Sequence, residues 1–371
     1  MNILHICNDY FGSKVHRNLY KSLDELGVNQ TIYCPVRQAT LVKPNLVEYN
    51  YTKVIISESM NNFHRILFNK KIKFLYQDLT SKINLTNISL THATNLFSDG
   101  AIAYRIFKEK NIPYIIAVRS TDIEVFLTYR PDLIQLAWNI LKNARKIIFI
   151  SEALKMNFLN HYLIAKKSSY FKNNCHVQFN GIDNFWLNNI QPQRKIEPTQ
   201  ILYVGRLLKR KNVIAVANTV IKLNISGVNC KFNIVGEGGG DEKKLIELTS
   251  KHPEYINYIG AIKDKEKLKS IYNENQIFTM PSKGETFGLV YIEALSQGLP
   301  VLFSKNDGIY GVFQENIGEY CNPDNHNDIY QALQSLIINY QTYEIDKIDF
   351  KQFQWKNIAF NYKNIYEALK A

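Results

Sequence analysis

Twice along this chain, short apolar runs alternate with amphipathic helical stretches, and a polar segment separates the two series. In the first half, strand-like runs fall at residues 2–7, 29–34, 88–92, 113–118, 146–151 and 176–179. Helical spacing lies between them, as in Val15 to Leu26, which ends at Gly27, and Asp99 to Lys110. In the second half, strands are expected near 200–204, 231–235, 256–259, 277–281, 300–303 and 318–321. Helices are expected at 212–224, 241–250, 264–273 and 286–298. Strands that are apolar on both faces, each followed by a helix, suit parallel sheets covered by helices. Residues 188–199 (NNIQPQRKIEPT) carry two prolines and little apolar content, which marks a linker. The expected organisation is an α/β chain: a first Rossmann-like domain at 1–187, the linker, and a second at 200–350. A last amphipathic helix within 351–371 should pack back toward the first domain, with Ile358, Tyr362, Ile365, Tyr366 and Leu369 on one stripe.

At 371 residues the chain is long enough for two domains of ordinary size. No apolar run approaches the ~18–20 residues needed to cross a bilayer. The first residues have neither a basic n-region nor a small-residue cleavage site, so a cytoplasmic protein is expected. The five cysteines (Cys7, Cys34, Cys175, Cys230 and Cys321) form no C-x-x-C pair, which argues against a disulfide framework or a zinc site. Charge is unevenly placed. Residues 1–190 hold 23 Lys and Arg against 13 Asp and Glu, a balance of +10; residues 191–371 hold 22 against 20, a balance of +2. A basic half can be a solvated face, or can meet an anionic ligand or membrane surface. No zinc-finger or RNA-binding aromatic pattern points to nucleic acid.

The densest chemistry lies in Ser282-Lys283-Gly284-Glu285-Thr286-Phe287-Gly288-Leu289-Val290-Tyr291-Ile292-Glu293, between a strand and a helix. Amides near Phe287, Gly288 and Leu289 would stand at a helix N-terminus, where an anion or sugar oxygens can be held. A capped helix with Glu285 offsetting the dipole would use the same residues. A second motif, Tyr203-Val204-Gly205-Arg206-Leu207-Leu208-Lys209-Arg210-Lys211, places Arg206 and Lys211 where they can neutralise a diphosphate and Gly205 where a ligand can approach the backbone. A third, Ile234-Val235-Gly236-Glu237-Gly238-Gly239-Gly240-Asp241, is a glycine-rich turn without the full dinucleotide fingerprint.

Together these segments resemble the retaining glycosyltransferases of family four, which have the GT-B fold: two Rossmann-like domains with a cleft between them. The resemblance covers nearly the whole chain and is most specific over residues 200–300. It implies that Glu285 and Glu293 form an E-x(7)-E pair, the first facing the donor sugar and the second the ribose. It places Phe287, Gly288 and Leu289 against the sugar and diphosphate, and Arg206 and Lys211 on the pyrophosphate. It puts Gly236 and Glu237 near the nucleoside, and the backbone of Tyr258-Ile259-Gly260-Ala261-Ile262, at Ile262, against the base. In the first half, Asp9-Tyr10-Phe11-Gly12-Ser13 stands where the family has a Gly-Gly loop, with Ser13 replacing one glycine. Leu90-Thr91-His92-Ala93-Thr94 resembles the H-x-H strand end, with Thr94 for the second His. Arg119-Ser120-Thr121-Asp122 resembles the loop that contacts the sugar. Gly12, His92 and Asp122 are therefore the acceptor-side candidates, and Arg119, which cannot act as a base, would act electrostatically. Asn180-Gly181-Ile182-Asp183 matches the turn that ends the family's first domain.

The implied reaction moves a sugar from a nucleoside diphosphate sugar to a glycan or lipid-linked glycan, with retention, in surface polysaccharide assembly. No cofactor is expected, and no metal, since no D-x-D motif occurs; Asp122-Ile123-Glu124 is the nearest likeness. The basic first half fits an enzyme that visits the anionic inner face of the cell membrane. A same-fold sugar-nucleotide epimerase, a nicotinamide-dependent oxidoreductase and a non-catalytic nucleotide-sugar-binding subunit are the alternatives.

Overall fold

The computed structural model describes residues 1–36, 47–58, 67–194 and 196–369. The chain divides into two compact units. The first comprises Met1–Ile150, Leu154–Gly181 and Trp355–Ala371; the second comprises Ser151–Ala153 and Ile182–Gln354.

In the first unit seven strands are β1 (Asn2–Ile6), β2 (Asn29–Pro35), β3 (Thr52–Ser57), β4 (Leu90–Ala93), β5 (Tyr114–Ala117), β6 (Lys146–Phe149) and β7 (Cys175–Val177). They form one sheet in the order β3-β2-β1-β4-β5-β6-β7, and every pairing is parallel. Helices α1 (Lys14–Glu25), α2 (Phe68–Lys82), α3 (Ser98–Lys110), α4 (Ile134–Asn143), α5 (Glu152–Asn160) and α6 (Tyr162–Ala165) connect them. The second unit contains α7 (Asn184–Leu187), then β8 (Gln200–Val204), β9 (Lys231–Val235), β10 (Ile256–Gly260), β11 (Ile277–Thr279), β12 (Val301–Ser304) and β13 (Gly318–Cys321), in the order β10-β9-β8-β11-β12-β13, again all parallel. Its further helices are α8 (Val213–Ile225), α9 (Glu242–Lys251), α10 (Lys265–Glu274), α11 (Leu289–Ser296) and α12 (His326–Ile338). The chain closes with α13 (Trp355–Ala368), in the first unit. Parallel strands need covered faces, and the central strands β1, β4, β5, β11 and β12 are buried almost throughout. No helix among the described residues is long and apolar enough to cross a membrane.

Strand β3 was not expected from the sequence. Its residues, Thr-Lys-Val-Ile-Ile-Ser, sit on the edge of the sheet and are mostly half-buried, so their apolar run is short. Helix α11 begins three residues later than expected, at Leu289, because Glu285 to Gly288 form an irregular loop. The 188–199 stretch is counted with the second unit. There Gln193 is buried; its amide N–H donates to Asp346 Oδ1 (2.9 Å) and its Nε2 to the Tyr340 carbonyl (2.6 Å).

Local chemistry explains why key elements start where they do. Ser13, at φ −131°, caps α1 by accepting from the Val15 amide (3.3 Å). The residue that replaces a family glycine thus serves as a helix cap. The inward stripe of α1, Leu19, Tyr20 and Leu23, packs with Trp355, Ile358, Tyr362 and Tyr366 of α13. Burying each such side chain stabilises the fold by about 1.5–3 kcal/mol.

Candidate functional site

In each sheet the strand order reverses direction once beside the first strand of its series, between β1 and β4 and between β8 and β11. Loops leaving the carboxyl ends of those strands diverge and open a crevice, the usual ligand position in open α/β sheets. The motif residues lie on these loops: Gly12 after β1, His92 and Thr94 at the end of β4, Gly205, Arg206 and Lys211 after β8, and Glu285 after β11.

In the second unit the loops are woven together by hydrogen bonds to backbone carbonyls. Lys283 N–H donates to the Arg210 carbonyl (2.6 Å), and Asn212 Nδ2 donates to the carbonyls of Pro281 (3.1 Å) and Pro323 (2.7 Å). This brings the Lys211 ammonium into an ion pair with the Glu285 carboxylate, both side chains mostly buried. Arg206 is exposed, but the Tyr203 hydroxyl holds its carbonyl (2.8 Å). Gly205 and Gly236 pack backbone to backbone. A Cβ on Gly236 would collide with the Gly205 carbonyl, so the two turns approach this closely only with glycine there. Glu237 is exposed on the next position, and Ile262 is half-buried after β10. Sequence reasoning missed Glu242. It accepts from the Gly238 amide (3.1 Å) and the Tyr258 hydroxyl (2.9 Å), shaping the glycine-rich turn.

Gly288 stands at the N-cap of α11 with φ +77°, a conformation that favours glycine, and no side chain caps the helix. By contrast, Asp264 caps α10 and Asn325 caps α12. The uncapped N-terminus, with Phe287 buried beneath and Leu289 in its first turn, stands next to Glu285. Orphan amides and the dipole there favour an anion or sugar oxygens. Glu293 lies in the second turn of α11, one turn nearer the N-terminus than the expected helix start implied. Burial, and then the Asp183 carboxylate, raise its pKa to about 7; Lys265 and the Trp186 indole oppose the rise. Lys265 is itself paired with Asp183 at 2.5 Å. Asp183 also caps α7, so the acid of the Asn-Gly-Ile-Asp turn organises the surroundings of Glu293.

A further acid, Asp307, was not anticipated. Its Oδ2 accepts from the Glu285 amide (2.6 Å) and its Oδ1 from the Gly308 amide (3.0 Å), while Gly308 N–H donates to the Glu285 carbonyl (2.8 Å). Burial raises its carboxyl to about 6, against the lowering effect of these bonds. Asp307 lies 22 residues on, after β12, and no local pattern announces it.

In the first unit Arg119 is half-buried. Its Nε donates to the Thr94 carbonyl (3.0 Å), and its amide donates to Asp122 Oδ2 (2.8 Å). Asp122 also accepts from the amides of Leu96 (3.1 Å) and Phe97 (3.4 Å), and burial raises its pKa to about 6. Asp122 thus ties the loop after β4 to the loop after β5. His92 is buried, its Nδ1 is 2.8 Å from the Tyr366 hydroxyl, and its ring stacks on Tyr362 with centroids 5.5 Å apart. Burial, then the Arg119 charge, lower its pKa to about 3, so it is neutral at ordinary pH. Gly12 is exposed beside Asp9. Among the described residues no three His, Cys, Asp or Glu side chains gather as a metal site.

Residues 186–347 match the model of the family described as glycosyl transferases group 1. Over its full length the chain is similar to an uncharacterized 41.2 kDa protein in the cps region of Klebsiella pneumoniae, 22% identical over 99% of this chain and 100% of that one. It is also similar to the alpha-monoglucosyldiacylglycerol synthase of Acholeplasma laidlawii, 24% identical over 81% of this chain and 77% of that one. In structure it resembles Anabaena Alr3699/HepE, solved in complex with UDP, with a TM-score of 0.72 at 14% identity, covering 99% of this chain and 100% of that one. Two all-parallel Rossmann-like units, each with a switch point beside its first strand, and a group 1 glycosyl transferase domain across the second unit make this chain a glycosyltransferase of the GT-B fold.

Proposed function

We propose that the chain transfers a sugar from a nucleoside diphosphate sugar to a hydroxyl of a glycan or lipid-linked glycan, with retention at the anomeric carbon. The observation that carries this is the meeting of Lys211, Glu285 and the uncapped start of α11 at one switch point. Lys211, with Arg206 beside it, would grip the diphosphate, and Glu293 the ribose. UDP in the HepE structure supports a nucleotide in this role.

When the C1–phosphate oxygen bond breaks, negative charge grows on the diphosphate and positive charge on the ring. Preorganised cations and amide dipoles stabilise the first, and the Glu285 carboxylate the second. The new C1–oxygen bond forms on the same face, and a phosphate oxygen of the departing diphosphate takes the acceptor proton. Protein cations then do the work of a metal, and no cofactor is needed. Arg119 adds positive potential on the acceptor side. The glycolipid synthase among the relatives supports an acceptor at a membrane, and the basic first half an anionic one.

A thermal-shift screen with nucleoside diphosphates and their sugars tests the reading. A ligand at 100 times its Kd stabilises by about 2.7 kcal/mol. No shift with any of them, under conditions where the protein melts cooperatively, overturns it.

A further inference from the structure

Glu293 is half-buried in the second turn of α11, and among the described residues no cation pairs with it. The groups that face its charge come from two other elements. From α10, Lys265 is spent on Asp183 at 2.5 Å, and the Tyr272 hydroxyl is buried with no hydrogen-bond partner. From α7 comes the Trp186 indole, whose N–H is turned to the Glu293 carboxylate. Asp183, the cap of α7, adds a like charge. Among the described residues Asp183, Lys265 and Tyr272 are thus the charged and titratable groups around Glu293, and Trp186 is its neutral donor.

The place of Trp186 is fixed by both neighbouring helices. Asp183 Oδ1 accepts from the Phe185 amide (2.9 Å) and starts the single turn that carries Trp186. The Trp186 ring meets Tyr272 edge-on, with centroids 5.3 Å apart, and Phe185 at 5.1 Å. Asn189, just beyond the turn, ties it to α10 and α11. Its side-chain oxygen accepts from Lys269 Nζ (3.2 Å), and its carbonyl accepts from Nε2 of Gln297, the C-cap of α11 (3.1 Å). Trp186 is only 3% exposed. An indole has one N–H and no acceptor, so a ring locked this way offers a single donor at a fixed point.

We propose that Trp186 is the positioning residue of Glu293: its N–H holds one carboxylate oxygen and leaves the rest of the carboxylate to the two ribose hydroxyls. The inference rests on the reading of Glu293 as the ribose acid. A carboxylate accepts at about four lone-pair sites, so one bond to the indole leaves capacity for a vicinal diol. Because no cation is paired with Glu293, no fixed counter-ion competes with those hydroxyls. The surroundings also carry opposite signs. Burial and then the Asp183 charge raise the Glu293 pKa, whereas Lys265 and the Trp186 N–H lower it.

Calorimetry of the full chain with UDP and 2′,3′-dideoxy-UDP, and with the corresponding guanosine pair, tests it. The parent should bind the natural nucleotide about tenfold or more tighter than its dideoxy form, the scale of a hydrogen bond to a charged group. Trp186→Phe fills nearly the same space without the N–H. It should lose most of that preference while dideoxy binding stays at the parent's level, and its rise of affinity with pH should move to higher pH. Asp183→Asn, which can still cap α7, should move that rise to lower pH. In the parent, tryptophan emission should step over the pH range in which affinity rises, and in Glu293→Gln it should not. The other tryptophans, Trp138 and Trp355, belong to the first unit. This optical test stands on its own if Trp186→Phe fails to fold. The inference is overturned by a folded Trp186→Phe that keeps the parent's preference and pH midpoint or weakens both nucleotides equally. An emission step that is absent in the parent or persists in Glu293→Gln also overturns it. A parent that binds the natural and dideoxy forms alike overturns the ribose reading, and one that binds no nucleotide overturns the donor reading; either takes this inference with it.

Discussion

Lys211 Nζ is ion-paired with the Glu285 carboxylate across 74 positions of sequence, joining the loop after β8 to the loop after β11. Both side chains are mostly buried, so removing either partner leaves the other charge poorly solvated. In thermal melts Lys211→Ala and Glu285→Gln should each destabilise, and the double variant should lose less than their sum. Lys211→Ala and Arg206→Ala should also each weaken UDP or GDP binding by about 1.5–3 kcal/mol, the scale of a hydrogen bond to a charged group. Unchanged affinity in both variants would remove the diphosphate grip.

The two carboxylates should fail differently. Glu285 lies in the irregular loop before α11 and Glu293 in its second turn, about 6 Å along the axis from Leu289 at 1.5 Å per residue, so the two carboxylates would meet different parts of a donor. Glu293→Gln should weaken binding of the free nucleotide. Glu285→Gln should leave free nucleotide binding nearly intact and lower turnover, because its partner is the sugar in the transition state. A merely capped helix predicts the same loss of stability in Glu285→Gln but no specific change in nucleotide binding or turnover. Calorimetry and a transfer assay on the same two variants separate these outcomes.

The pH dependence should report Glu293. Its folded pKa is raised to about 7 from an ordinary 4.5, so the folded state holds this proton more tightly than the unfolded state does. Its contribution to stability is therefore full below about 4.5 and is lost as pH rises through about 7. Ribose hydroxyls donate to the ionised carboxylate, so nucleotide affinity should rise over the same window. Glu293→Gln should flatten both differences. Parallel pH curves for parent and variant would show that Glu293 does not control binding.

If Arg206, Lys211 and the start of α11 supply the positive potential, as proposed, transfer should continue in EDTA. Activity lost to the chelator and restored by magnesium or manganese would show that a metal is required.

Much of this architecture was legible in the sequence because parallel strands and their helices repeat in order. The second series reads clearly, since its motifs are local: Gly205 to Lys211 and Glu285 to Glu293 each lie on one loop and the element beside it. Edge strand β3 did not read, because a half-exposed strand carries a weaker apolar signal than a central one. Contacts between distant loops did not read either. Glu242 bonds the Gly238 turn from its own helix, but its partnership with Tyr258 depends on β10 lying beside β9. His92 looked like an acceptor-side group in its local pattern. Its partner Tyr366 is 274 residues away, and burial, then the Arg119 charge, keep its ring neutral.

Asp307 is the residue whose distant contact should matter for turnover. Its carboxylate accepts from the amides of Glu285 and Gly308, and Gly308 in turn donates to the Glu285 carbonyl. The backbone of Glu285 is thus held on both sides, and its side chain points from a fixed base toward Lys211. Asp307→Ala would leave the Glu285 amide without this acceptor and free the loop to move. Asp307→Asn keeps one acceptor oxygen but turns an NH2 group toward an amide donor, so it should rescue only in part. A misplacement of about 1 Å at a reacting centre can cost on the order of a hundredfold in rate. Asp307→Ala should accordingly lower kcat by about tenfold or more while free nucleotide affinity stays near the parent's, because Arg206 and Glu293 do not depend on it. The folded carboxyl has its pKa raised to about 6, so its accepting, ionised form fades as pH falls through that value. The acid limb of the parent's kcat profile should therefore be missing in Asp307→Ala. A variant that loses nucleotide binding and turnover together, or that melts earlier with kcat and its pH profile unchanged, would show that Asp307 only supports the fold.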